Sequence, residues 1–120
     1  MKNQSENVIL NLSFQFALNV VDFAGKLDET KKWVVSNQLV KSGTSIGANI
    51  REAQGAESKN DFIHKLKISY KEASETEYWL DICKSSKNYP DPDKLSEDVI
   101  VLKKILTKII NSIKSKIINH

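Results

Sequence analysis

The sequence predicts an all-α fold, a single up-down-up-down antiparallel four-helix bundle domain spanning residues 1–120. Three observations carry that expectation. Four segments place apolar residues at steps of three and four, the spacing of one face of an α-helix. Gly and Pro are scarce, at four and two residues, too few for the many turns of an all-β chain. The run Asn88-Tyr89-Pro90-Asp91-Pro92 breaks the second half, because neither proline can donate a backbone hydrogen bond.

The first helix is expected from about Ser5 to Leu27, with Ser5 as N-cap and Ile9, Leu12, Phe16, Val20, Phe23 and Leu27 on its core stripe. Gly25 and Asp28 lie near the break that follows. The second runs from about Thr30 to Gly55, with a stripe of Val35, Leu39, Ser42, Ile46, Asn49 or Ile50, and Ala53. The third, about Ser58 to Ser86, is the most regular: Phe62, Leu66, Ser69, Ala73, Thr76, Leu80 and Cys83 alternate steps of four and three. Ser58 followed by Asp61 reads as a capping-box-like start. The fourth, Asp93 to Ile118, carries Leu95, Val99, Leu102, Leu106, Ile109 and Ile113. Alternating three-four spacing matches shallow helix crossings of about 20°.

Two helices are too apolar for one core. Helix 1 has a second stripe, Leu10, Phe14, Ala17 or Leu18, and Val21, and helix 4 has Val101, Ile105, Ile110, Ile117 and Ile118 outside its main stripe. One apolar arc of a little over 100° normally suffices for a bundle helix. The surplus is either a wide core with scattered exposed aliphatics or a self-association surface. Leu10, Phe14, Leu18, Val21, Val101, Ile105, Ile110 and Ile117 are therefore the candidate oligomer interface. Acid-rich and lysine-rich stretches on one chain suit head-to-tail contact in a ring.

Helix 2 also carries a polar stripe beside its apolar one. Gln38, Ser45, Asn49 and Glu52, with Glu75 across on helix 3, form a candidate polar seam. It reads as a register-fixing hydrogen-bond network or solvated face, or else as a ligand-binding seam. Gly43, Gly47 and Gly55 are spaced for close helix packing.

Signals of catalysis are weak. A carboxylate-bridged metal pair in a bundle needs Glu-x-x-His on two helices. This chain has His64 and His120 only, with Asp61-x-x-His64 the nearest match. No catalytic residue, cofactor or metal is expected, and the chain is expected not to be an enzyme. Cys83, the single cysteine, sits at an apolar helical position and reads as a buried, inert thiol. No apolar stretch is expected to reach the roughly 20 residues of a membrane span, and no secretory signal is evident. A cytoplasmic, membrane-independent protein is the expectation. Nucleic acid stays open as a partner: Lys41, Arg51, Lys59, Lys65, Lys67 and Lys71 are the candidate patch, since phosphate contacts need little beyond placed Lys and Arg.

Gln38-Leu39, Ser45-Ile46, Asn49-Ile50, Glu52, Asp61-Phe62, Ile68, Glu75-Thr76-Glu77 and Leu80 together resemble a small bacterial four-helix-bundle family. Its members include proteins encoded in intervening sequences of large-subunit ribosomal RNA genes. The chain is also similar to the accessory variability determinant of diversity-generating retroelements. The resemblance covers most of helices 2 and 3. It implies a homopentameric ring, with nucleic acid or a nucleic-acid enzyme as the further partner. The chain departs from the family pattern at Arg51 and Ala53, and at Lys71-Glu72, where the family has small residues.

Overall fold

The computed structural model describes residues 4–118, the side chain of Ser5 excepted. Four helices follow in order: α1 (Gln4–Glu29), α2 (Trp33–Ala53), α3 (Lys59–Ser85) and α4 (Asp93–Ile118). Each packs on its chain neighbours and α4 closes back on α1, giving an antiparallel bundle 53 × 22 × 21 Å in extent. Ser5 lies inside α1, which already runs from Gln4, so it does not cap that helix as expected; His120 lies outside the described residues.

The connections show why the helices end where they do. α1 closes in a Schellman motif, with Lys32 N–H donating to Leu27 C=O at 2.9 Å and Lys31 N–H to Asp28 C=O at 3.0 Å. Lys31 takes the left-handed position of that motif (φ 62°), where glycine is usual. Gly25 is therefore not at the break but inside α1, and α2 begins at Trp33 rather than Thr30. α3 starts as expected: Ser58 Oγ accepts from Asp61 N–H at 3.0 Å, and Asp61 Oδ2 accepts from Glu57 N–H at 3.3 Å. Asn88 (φ 64°) makes the turn after α3, a conformation Asn tolerates better than most residues.

The core is the set of inward stripes. Val20, Leu27, Leu39, Ile46, Ile50, Ala73, Leu80, Val99 and Leu106 are wholly shielded from solvent. On α2 the ambiguous position resolves to Ile50, with Asn49 only half-buried. Three expected core residues shift. Leu12 is exposed at 41%, and Ser13 takes its place. The reason is steric: Ser13 faces Gly47, and even a Cβ on that glycine would stand 3.2 Å from Ser13 Oγ. A leucine does not fit that gap. Phe62 and Ile113 are half-buried near the bundle end, while Ile63 is buried on α3.

Gly43 repeats the close approach one turn earlier on α2, where a Cβ would lie 2.9 Å from both Val20 Cγ atoms. These two glycines confirm the close-packing reading. Gly55 does not, because it sits in the turn beyond α2 with only ordinary contact around it. Gly25 has nothing within 4 Å of a Cβ position. Gly25→Ala is therefore expected to stabilise the protein by about 0.5–1 kcal/mol through helix propensity alone, read as a higher urea midpoint at unchanged m-value.

One further expectation is corrected. Glu6–Glu29 is long and apolar enough, by length and composition, to cross a membrane. A third of its apolar window is buried in the bundle. The rest explains why α1 has unsatisfied apolar surface.

Candidate functional site

Amphipathic geometry divides the exposed apolar residues of α1 between its two flanks. Residues two apart on a helix stand about 200° apart around its axis, so Leu12 and Phe14 cannot share a face. Phe14, Leu18 and Val21, spaced four and three, are 52%, 45% and 50% exposed. Phe14 borders a groove of about 420 Å³ between α1 and α2, with Ala17, Gly47 and Ala48 among its lining. The Arg51 guanidinium stands 5.5 Å over the Phe14 ring. On the opposite flank, Leu12 lines a second groove of about 280 Å³ with Val101 of α4. Val8, four residues before Leu12, is also exposed.

Of the eight residues expected at an oligomer interface, Phe14, Leu18, Val21 and Val101 are exposed. Leu10, Ile105 and Ile117 are half-buried against the core. Ile110 is a correction: at 8% exposure it belongs to the core, broadening the α4 face beside Ile109. Val101 lies across α1 from Phe14, so the expected residues form two surfaces and not one. Leu12 and Val8 were not in the expected set. The signal for Leu12 was its three-residue step from Ile9, which also fits a core position.

The candidate polar seam does not converge. Ser45 Oγ donates to Lys41 C=O at 2.6 Å and Asn49 Nδ2 to Ser45 C=O at 2.8 Å, both within α2. Gln38 C=O accepts from Ser42 Oγ at 3.0 Å. Glu52 is exposed on the α1–α2 groove, and Glu75 accepts from Trp79 Nε1 at 3.4 Å on its own helix. The polar groups that bridge helices lie on the buried stripes instead. Thr76 Oγ1 meets Ser42 Oγ at 2.9 Å, Ser69 Oγ donates to Ile46 C=O at 2.8 Å, and Ser36 Oγ donates to Ala24 C=O at 3.3 Å. Wholly shielded Ser42, Ser69 and Thr76 thus lock α2 to α3 in one register.

The six residues of the candidate basic patch also separate. Lys41 and Arg51 lie on α2, with Arg51 engaged by Phe14. Lys59 borders a cavity at the bundle end with Glu57 and Ile113. Lys65 is about 200° around α3 from Lys67. Only Lys67 and Lys71 come together, in a groove between α3 and α4. In the adjoining cavity Lys67 meets Lys114, which sequence spacing did not single out. The neighbouring Lys67 ammonium pushes the Lys114 pKa down from its ordinary value. Lys103, by contrast, is tied to Glu77 at 2.8 Å and stacked 5.0 Å over Tyr70. The Glu77 hydrogen bond raises its pKa.

Cys83 is 2% exposed, and burial pushes its thiol from 9.0 up to about 11. A folded-state pKa above the unfolded value means stability is lost as pH rises from about 9 towards 11. Native protein is expected to resist thiol alkylation at pH 8 and to label stoichiometrically only in denaturant; rapid native labelling would contradict the burial. Among the described residues no group of three or more His, Cys, Asp and Glu side chains is placed to hold a metal ion.

The family model described as 23S rRNA-intervening sequence protein matches residues 5–114. A crystal structure of a protein of unknown function from the S23 ribosomal protein family of Bacteroides thetaiotaomicron superposes with a TM-score of 0.84. It is 40% identical over 90% of this chain and 99% of its own. No curated protein matches.

Proposed function

The chain belongs to the family of 23S rRNA-intervening sequence proteins, and on that premise we propose that it is a non-enzymatic homo-oligomer, a ring of five copies serving as scaffold or adaptor. The observation that carries this reading is the exposed apolar surface on both flanks of α1. A closed ring uses head-to-tail contacts, which require two different, mutually complementary surfaces on every copy. The Phe14–Leu18–Val21 stripe is one such surface and the Leu12–Val101 groove is the other. Five copies is the number implied by the family resemblance. Glu52 and Glu75, the carboxylates of the candidate seam, are exposed on different helices, so the seam offers no carboxylate pair for acid–base work. Light scattering coupled to size exclusion, at micromolar concentration, is expected to give five times the chain mass. A monomer at that concentration overturns the reading.

A second reading rests on the lysines. The part of the bundle holding the start of α3 and the end of α4 carries more Lys than Asp and Glu, which suits RNA, DNA or an enzyme that works on them. Assembly would multiply a modest patch into a large one. A gel-shift series against salt tests it: a steep salt slope supports it, and no binding at low salt removes it. A cytoplasmic setting accords with a free thiol at Cys83.

A further inference from the structure

Two polar stripes face each other across the α3–α4 groove. On α3, His64, Lys67 and Lys71 follow steps of three and four; on α4, Thr107, Asn111 and Lys114 follow steps of four and three. Cavities of about 300 and 470 Å³ lie along the groove, and Lys67 lines both. The floor is apolar, built from Ile63, Ile110 and Ile117, with Tyr70 beside it. Two ammonium groups thus converge from different helices. Among the described residues neither is ion-paired with a carboxylate, although Lys84, Lys94 and Lys103 each are.

We propose that this groove binds a small phosphomonoester, its phosphoryl dianion held between Lys67 and Lys114 and its apolar or ring portion lying on the Ile110–Tyr70 floor. A dianion between the two lysines replaces like-charge repulsion with two charge-assisted hydrogen bonds. Asn111 and Thr107 add neutral donors on one wall, and Lys71 adds a third cation one turn along α3. A single point of charge convergence over an apolar floor suits a compact ligand, whereas a nucleic-acid backbone calls for cations repeated along its path. The inference stands independently of ring assembly.

Thermal melts at constant ionic strength test it, with inorganic phosphate and phenyl phosphate as probes and sodium chloride as the balance. Both probes are expected to raise the wild-type Tm by several degrees, phenyl phosphate more at equal concentration because it also covers the floor. Lys114→Gln and Lys67→Gln are each expected to lose the phosphate response. Lys41→Gln, on α2, is expected to respond as wild type does. An equal rise in wild type and both groove variants overturns the proposal, as does no rise in any of them. Stabilisation by a single-stranded oligonucleotide but by neither small probe also overturns it, in favour of the nucleic-acid reading.

Discussion

Gly43→Leu is expected to destabilise the bundle by about 3 kcal/mol or more, a large part of the 5–15 kcal/mol that typically holds a domain together. A Cβ at this position would already stand 2.9 Å from both Cγ atoms of Val20, which is wholly buried and β-branched. Val20 has no freedom to swing aside, so the α1 and α2 backbones must separate. Gly43→Ala is the finer test. Helix propensity favours alanine by about 1 kcal/mol, yet overpacking costs about 1–3 kcal/mol, so the net sign is destabilising. Val20→Ala in the same chain reopens the space. A double-mutant cycle in urea is expected to show about 1 kcal/mol or more of favourable coupling between Val20→Ala and Gly43→Ala. Additive effects would mean that the helices do not meet through these two residues. The contrast with Gly25→Ala, expected to stabilise, separates close approach from propensity.

Leu18→Glu and Leu12→Glu are each expected to reduce the assembly to smaller species while leaving the fold intact. Both side chains are more than two-fifths exposed in the single chain, where surface substitutions typically change stability by less than about 0.5 kcal/mol. Buried without a partner in an interface, a carboxylate instead costs several kcal/mol. The two residues occupy opposite flanks of α1, so each variant loses one of the two surfaces a ring requires. Mixing them gives the sharper readout. A Leu12→Glu copy keeps its Leu18 flank and a Leu18→Glu copy keeps its Leu12 flank, so the mixture is expected to form a one-to-one dimer that cannot grow. Val34→Glu, at the most exposed aliphatic of α2, is expected to leave the assembly mass unchanged. If both single variants keep the wild-type mass, the α1 flanks are not the contact surfaces.

Periodicity made much of the fold legible. The α3 stripe Leu66, Ser69, Ala73, Thr76, Leu80 and Cys83 is buried throughout, and α4 spans the expected Asp93–Ile118. Strong breakers made those boundaries clear: a Ser58 cap on one side and a two-proline segment on the other. The α1–α2 junction was harder, because it turns on Lys31 in a conformation that residue type does not advertise. The candidate sites were legible only in part. Lys67 and Lys71 share a helical face by spacing, but Lys114 joins Lys67 from 47 residues further along the chain.

The amino-acid sequence by itself determined that four helices form, where most of them end, and that α1 carries more apolar surface than one core consumes. Each of these follows from local spacing, capping and breaking, which act within a few residues. Tertiary structure alone decided which neighbour each flank meets. It put Ser13 rather than Leu12 against Gly47, sent Ile110 into the core, split the exposed apolar residues between two flanks, and brought Lys67 to Lys114. A helical pattern gives the direction of a stripe but not the distance to the next helix. That distance is settled pairwise, by small residues that let two backbones approach.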